Sequence, residues 1–319
     1  MNIKFIILTG VYFGVCIGQL SCAPARESVY LTKKTPSAES LPEAPISTPF
    51  FIFRKNEPAV VQTSFQIGYD NKNLYLAIQC YEPHIDGLKA LCREHDGPVW
   101  QDDCIEIFID PGLTGESYFQ FIFNSIGMRQ EGRKTAAEER FSVQWNGDWE
   151  VATAIFSDRW TGTATIPFST LGAYPQKGGI WGMNICRERY SGNTMELSSW
   201  SKATSGFHTP REFGILVFED LLPSLKETLA YSEKKMRKWR EMVKKDLRLY
   251  KHSAQNSYSE RFNQMEKELQ SIQKQLRNNS VTVEQFYPVN KRLISLPSDY
   301  ENLAIDLEME RLIGGMKND

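Results

Sequence analysis

Short apolar runs alternate with turn signals from residue 50 to residue 218, and several of them show the period-two alternation of a half-buried strand. No stretch with helical spacing interrupts these runs. Because parallel strands need crossover helices, the pattern predicts an antiparallel two-sheet β-sandwich of jelly-roll or immunoglobulin-like form. The predicted strands cover residues 64–69, 74–81, 104–110, 118–124, 149–156, 161–166, 179–187 and 213–218, and residues 146–148 predict a tight turn.

The pattern changes after Pro223, where apolar residues begin to recur at steps of three and four. This spacing predicts one helix over 225–250 and a second over 258–276. The polar break between them is short, so the two helices are expected to form an antiparallel hairpin. One or two shorter helices are expected over 283–294 and 300–313. The first helix is heavily basic, which by default indicates a solvated face.

The N-terminal residues predict an exported protein. Lys4 precedes an apolar run that is too short to span a bilayer, so residues 1–22 are interpreted as a signal peptide. Ser21 and Cys22 resemble the end of a bacterial lipobox, which would make Cys22 the lipidation site; ordinary cleavage after Ala23 or Ala25 stays open. The expected location is the periplasm, or the outer membrane or cell surface as a lipoprotein.

Composition divides the remaining chain and limits its partners. Residues 23–49 are rich in Pro, Ser and Glu and are expected to be a linker with a first strand, followed by the sandwich at 50–220 and the helical region at 221–319. The formal net charge of -2 gives no reason to expect nucleic acid, and a membrane is expected only through the lipid anchor. Cys80, Cys104 and Cys186 lie within apolar runs and are interpreted as buried thiols; a disulfide between two of them stays open.

No catalytic motif is present. The sequence has no nucleophile elbow, phosphate loop, dinucleotide-binding glycines or zinc-protease motif, and only four histidines. Paired carboxylates of a glycosidase stay open, because only their separation in space identifies them. Asp102 and Asp103 are adjacent and would face opposite sides of an extended chain, so they are poor acid and base partners for each other.

The run at 104–110 carries the most specific chemistry. Ile105, Ile107 and Ile109 share one face of the predicted strand, and Glu106 lies on the other, just after a loop that carries Trp100. An indole can pack on the apolar face of a pyranose, and a carboxylate accepts hydrogen bonds from vicinal hydroxyls. From the residues alone, a solvated or salt-bridged Glu106 is the competing interpretation.

Eight segments, in order, resemble family 9 carbohydrate-binding modules. They are residues 68–75, 97–110, 118–124, 145–149, 160–168, 181–189, 196–200 and 206–214. The resemblance implies a terminal sugar held between two aromatic rings and backed by polar groups. It assigns the first ring to Trp100, the carboxylate to Glu106, and the second ring to Phe207 with His208 beside it. Asn124, Arg187 and Arg189 are implied as polar lining.

Two features depart from the family pattern. Residues 23–62 contain no tryptophan, and Thr163 stands where the family has a glutamate. Some members of the family bind calcium, so calcium is considered, but no loop here has clear ligand spacing and no metal ligand is assigned.

The resemblance predicts non-catalytic binding of the end of a mono- or oligosaccharide, in connection with polysaccharide breakdown or uptake. Three alternatives stay open. The chain could be a glycoside hydrolase or a subunit of one, or an assembly domain without a ligand that binds a protein partner through its helical region. The wider superfamily also includes haem-binding domains, for which Met128, Met183 and His208 are the available ligands.

Overall fold

The computed structural model describes residues 28–41, 49–192, 194–249 and 255–316. The predicted signal segment, with Cys22, lies outside these residues. In the described residues the chain is mainly β up to residue 218 and helical from residue 222. The strands are β1 (Val29–Lys34), β2 (Phe51–Ile52), β3 (Thr63–Tyr69), β4 (Asn73–Tyr81), β5 (Cys104–Asp110), β6 (Tyr118–Asn124), β7 (Arg129–Lys134), β8 (Glu150–Ile155), β9 (Arg159–Pro167), β10 (Ile180–Arg189), β11 (Glu196–Ser199) and β12 (Gly214–Phe218).

These strands form one large, nearly closed sheet in the order β7-β6-β5-β10-β12-β1-β3-β4-β9-β8, with β11 and β2 attached beside β10. The expectation of a wholly antiparallel arrangement is wrong at one strand, because β1 runs parallel to both of its neighbours. It pairs with β12 over residues 29–32 and with β3 over residues 33–34, so this one strand joins the two halves of the sheet. At the open edges, the Arg129 guanidinium of β7 donates a hydrogen bond to the Trp149 carbonyl, next to β8.

The main core lies inside the curve of this sheet. Ile105, Ile107 and Ile109 of β5 face it, as the alternation predicts, together with buried residues from β3, β4, β6, β9, β10 and β12. Phe123 of β6 meets Trp160 of β9 across the core with ring centroids 6.0 Å apart. The opposite face of β5 and its neighbours is therefore turned away from the core, and loops cover it.

The helical region contains the predicted antiparallel pair of helices, in which Arg240 bonds Glu266 and Gln273 bonds Glu233. One long helix stands in place of the short additions expected over 283–294 and 300–313. After the single turn α1 (Phe168–Leu171) come α2 (Leu222–Leu249), α3 (Gln255–Arg277) and α4 (Val283–Met316). α4 continues through Pro288 and Pro297, which normally weaken a helix. Its buried residues keep steps of three and four across both prolines, so packing maintains the helix; they are Phe286, Val289, Leu293, Leu296, Tyr300, Leu303 and Leu307.

The helices pack on the outer face of the sheet and are not a detached tail. Ile215 and Val217 of β12 form a buried cluster with Leu225 of α2, Ile272 of α3 and Leu293 of α4. A second cluster, around Met236 and Tyr300, fills the space between the helices farther along their length. No helix in the described part of the chain is long and apolar enough to cross a membrane.

Candidate functional site

A cavity of about 410 Å³ lies on the face of the sheet that points away from the main core. Its floor comes from four consecutive strands of the sheet, β7, β6, β5 and β10, and loops form its walls. The floor residues are Gln130, Gln120, Ile122, Glu106 and Glu188, and the remaining lining residues are Phe53, Trp100, Phe141, Val143, Leu197, Phe207 and His208. Four of the residues predicted from the sequence, Trp100, Glu106, Phe207 and His208, are thus brought together at one cavity.

Two carboxyl groups meet in the floor of this cavity. Glu106 on β5 and Glu188 on β10 project from the same face, because Cys186 pairs with Glu106 and Glu188 pairs with Cys104 across the two strands. The two carboxyls are hydrogen-bonded to each other and are only 3% and 8% exposed. Burial raises the pKa of Glu106 well above its ordinary value, and the adjacent Glu188 raises it further. Burial also raises the pKa of Glu188. Two carboxyl groups in hydrogen-bond contact need a proton between them, because one of them must donate.

Polar neighbours hold this pair in place. Gln120 Nε2 donates a hydrogen bond to Glu106 Oε2 at 2.5 Å, and the Tyr190 hydroxyl donates to Glu188 Oε2 at 2.9 Å. His208 lies beside Gln120, with Nε2 to Nε2 at 3.5 Å, and its Nδ1 is 3.0 Å from the Tyr118 hydroxyl. Burial lowers the pKa of His208, so the imidazole is neutral at pH 7. The side-chain amide oxygen of Gln130 is buried and has no hydrogen-bond partner.

Aromatic rings line the walls. Trp100 follows Pro98 in a short 3-10 turn and is 46% exposed, whereas Trp149, Trp160 and Trp200 are fully buried in the core. Phe207 packs edge-on against Phe53 with ring centroids 5.1 Å apart. The exposure of Trp100 leaves one large ring at the cavity mouth available to a ligand.

Asn124, Arg187 and Arg189 do not line this cavity. Asn124 Nδ2 donates to Asp102 Oδ2 at 2.9 Å and thereby holds the loop that carries Trp100. Asp102 in turn accepts hydrogen bonds from the backbone amides of residues 91 and 92. Arg187 and Arg189 lie on the core side of β10, where both donate to the buried Glu82 carboxylate at the end of β4. We therefore leave these three residues out of the candidate site.

Sequence reasoning missed Glu188, Gln120 and Gln130. Alternation could have found Glu188, because Met183 and Ile185 of the same strand face the core and residue 188 has the opposite parity. Gln120 has the same relation to the core residues Phe121 and Phe123 of β6. Gln130 had no such signal, because β7 is polar throughout and no strand was predicted there.

One group of side chains in the described part of the chain could approach a metal. His95, Asp96 and Glu131 have ligand atoms within 4.8 Å of one another. Calcium prefers six to eight oxygen ligands, whereas this group offers a ring nitrogen and two carboxylates. Glu131 Oε2 also accepts a hydrogen bond from Trp149 Nε1 at 2.8 Å, and Oε1 accepts one from the Gly147 amide. The group does not fit calcium.

The remaining candidates for other chemistry are dispersed. Cys80, Cys92, Cys104 and Cys186 are free thiols, and burial raises the pKa of Cys80 to about 12. The interpretation of Cys80, Cys104 and Cys186 as buried thiols is confirmed, and Cys92, which was not part of it, is half-buried. Of the three residues considered for haem, Met183 lies in the main core, whereas His208 lines the cavity on the opposite face of the sheet. These two side chains cannot ligate one iron.

A β-domain with a cavity of aromatic rings and hydrogen-bonding side chains defines a ligand-binding protein for a small polar molecule with flat apolar faces. The family described as "Carbohydrate family 9 binding domain-like" matches residues 45–221, more than half of the 319-residue chain. The chain belongs to this family, and its function is non-catalytic carbohydrate binding.

Solved structures similar to this chain include a candidate carbohydrate-binding protein from Bacteroides uniformis, with 20% identity and a TM-score of 0.48; the match covers 60% of this chain and 99% of that one. A family 9 module from Caldicellulosiruptor kristjanssonii in complex with glucose has 14% identity and a TM-score of 0.43, and the match covers 60% of this chain and 95% of that one. A family 9 module from the same organism in complex with cellotriose has 14% identity and a TM-score of 0.44, and the match covers 60% of this chain and 94% of that one. No curated protein matches the chain.

Proposed function

We propose that the cavity lined by Trp100, Glu106, Glu188 and Phe207 binds the terminal sugar of a mono- or oligosaccharide. The observation that carries this proposal is a half-exposed indole beside buried hydrogen-bonding groups in one cavity of suitable size. The sugar ring would pack on Trp100 while its hydroxyls bond to the carboxyl pair and to the free amide oxygen of Gln130.

The spacing of the two glutamates favours binding over hydrolysis. Retaining glycosidases separate their carboxyl groups by about 5 Å, and inverting ones by more, to leave room for the sugar or a water molecule. Glu106 and Glu188 are in direct hydrogen-bond contact, which leaves no such room. Because one sugar ring supplies little apolar area, we expect a modest affinity, roughly micromolar to millimolar.

Substitution of Trp100 tests this proposal. Trp100→Ala should abolish most binding on a glycan array while the circular dichroism spectrum and melting temperature stay unchanged, because the side chain lies on a loop and half of it is exposed. Tyr174→Ala, which removes an aromatic ring that is 64% exposed outside the cavity, is the matched control. A Trp100→Ala protein that binds as well as the parent would refute the proposed site.

The wider setting follows from the sequence alone. We propose an exported bacterial protein, held at the membrane by a lipid on Cys22, that takes part in polysaccharide breakdown or uptake. Metabolic labelling with a palmitate analogue tests the lipid anchor: it should label the parent protein and should not label Cys22→Ser.

We also interpret the curved sheet as the two-layer sandwich of jelly-roll type typical of sugar-binding domains.

A second candidate function is self-assembly through the helices. Ile305, Met309, Leu312 and Ile313 of α4 are about half exposed and recur at the spacing of one helix face. A second copy of the chain is the partner that we propose for this face. Sedimentation of the parent and of Met309→Glu tests it, because a dimer should dissociate in the variant; a monomeric parent would exclude this function.

A further inference from the structure

The cavity contains two acidic groups and no lysine or arginine. Its histidine is neutral. Lys89 lowers the pKa of Glu188 through its charge, but its ammonium lies over the Tyr190 ring, 4.3 Å from the centroid, and Lys89 is not among the lining residues. The pair thus faces the cavity without a cationic partner inside it.

Burying two adjacent carboxyl groups is unfavourable unless a proton or a cation lies between them. In the protein alone a shared proton meets this need. A ligand that brings its own positive charge could replace that proton and leave both carboxylates ionised. A neutral sugar can only exchange hydrogen bonds with the pair while the two carboxyl groups keep their shared proton.

The walls suit the same kind of ligand. Aromatic faces attract cations, and the cavity is lined by the rings of Trp100, Phe53, Phe141 and Phe207. A uronic acid, by contrast, would place a further negative charge beside the two glutamates and should be rejected.

We propose that the cavity selects an amino sugar, whose free ammonium group docks against the Glu106–Glu188 pair while its ring packs on Trp100. This inference rests on the proposed function, because it names the class of sugar that the same cavity binds. The ammonium would contact both carboxylates from the cavity side, and the proton that they share would pass to the solvent.

Proton release provides a specific signature. The charged or titratable groups around the pair are Tyr190, Lys89, His208, Cys104 and Cys186. The pKa of each thiol and of Tyr190 is raised and that of His208 is lowered, so the proton shared by the two carboxyl groups is the one that a bound ammonium would displace. The heat of binding of an amino sugar should therefore change with the ionisation enthalpy of the buffer, and that of a neutral sugar should not.

Calorimetry with matched sugars tests the proposal on the whole chain. Glucosamine, glucose and N-acetylglucosamine form one series, and the galactose and mannose analogues form two more. At about pH 6, where an amine with a pKa near 8 is charged, one of the amino sugars should bind about tenfold or more tightly than its neutral and acetylated counterparts. Glu188→Gln should remove this preference, whereas Glu150→Gln, which alters an exposed carboxylate on β8 outside the cavity, should keep it.

The outcomes separate the two proposals. If neutral or acetylated sugars bind as tightly as amino sugars, selection of a cation is refuted and sugar binding by the cavity stands. If none of the nine sugars binds, both proposals fail at this site. The comparison among sugars on the parent protein decides the question even if Glu188→Gln does not fold.

Discussion

Glu82 is the residue that ties the end of β4 to β10. Its carboxylate accepts hydrogen bonds from Arg187 Nη2 at 3.0 Å and from Arg189 Nε and Nη2 at 2.7 and 2.8 Å. All three side chains are buried or nearly so. Burial alone would raise the pKa of Glu82, but these bonds and others from Ser191 and the His84 amide lower it to about 2.

We predict that Glu82→Gln lowers the free energy of unfolding at pH 7 by about 3–5 kcal/mol, because it leaves two buried guanidinium groups without their counter-charge. The pKa of Glu82 is below its ordinary value of 4.5 in the folded state, so its stabilisation is present above about pH 4.5 and is lost as the pH falls towards 2. Urea unfolding at several pH values should show the difference from the parent shrinking in that range.

The control for this prediction is Glu150→Gln, which removes an exposed carboxylate and should change stability by less than about 0.5 kcal/mol. A Glu82→Gln protein that is as stable as the parent at pH 7, or that is weakened equally at pH 3, would contradict the assigned role of the ion cluster.

Alternation placed Glu106 on the face opposite three core isoleucines, and the family resemblance assigned roles to Glu106 and Trp100. The structure brings both side chains to the cavity lining, and their roles in binding stay predictions. Arg187 and Arg189 were expected in the lining, yet they share the parity of the core residues Met183 and Ile185. They face the core because both donate hydrogen bonds to Glu82. Glu82 is more than one hundred residues away in sequence, so no local pattern could reveal this pairing.

At the scale of elements, the loop of residues 89–103 decides where Trp100 stands. Asn124, at the end of β6, is fully buried and bonds Asp102 Oδ2 and the carbonyl of Cys92. Its own side-chain oxygen accepts the Met128 amide at 2.9 Å, so this one amide joins the Trp100 loop to the β6–β7 turn.

We therefore predict that Asn124→Ala weakens sugar binding although the side chain lies outside the cavity. Losing these bonds leaves Asp102 and the turn amides short of partners, at a cost of about 1–3 kcal/mol. Hydrogen exchange should become faster in residues 91–102 and 125–128, and slow exchange should persist in β5. Gln101→Ala removes an exposed amide from the same loop and should change neither property. Unchanged exchange in the loop of Asn124→Ala would contradict the supporting role.

Most strands could be predicted from the sequence because their apolar residues alternate, and the prediction failed where polar residues are buried by bonding. β7 was missed because its sequence is polar, although Glu131 is buried and bonded to the Trp149 indole. The tight turn predicted at 146–148 is wrong. The chain there forms no turn, and the Gly147 amide donates a hydrogen bond to the same Glu131 carboxylate.

At the scale of the whole molecule, the helices and the sheet share buried surface. β12 contributes Leu216 and Phe218 to the main core and Ile215 and Val217 to the cluster under the helices. A strand that is apolar on both faces needs cover on both sides, so the sequence of β12 already implied a second layer. α2 follows β12 directly and supplies Leu225, but the contributions of α3 and α4 could not be read locally, since Ile272 and Leu293 come more than fifty residues later.

This shared surface predicts that the helices and the sheet unfold together. Leu293 of α4 is fully buried against the sheet-facing cluster, whereas its neighbour Ile294 is 62% exposed. Leu293→Ala should lower the free energy of unfolding by about 2–5 kcal/mol, and Ile294→Ala by less than about 0.5 kcal/mol.

Two probes can follow the two regions separately. Six of the seven tryptophans precede residue 201, so fluorescence reports mainly on the sheet region, whereas far-ultraviolet circular dichroism reports mainly on the helices. In Leu293→Ala both midpoints should fall together, because removing contacts at the helix side exposes β12 and weakens the strands that it joins. If the helical signal alone shifts while fluorescence keeps the parent midpoint, the helices are a separate folding unit and the cavity does not depend on them for its stability.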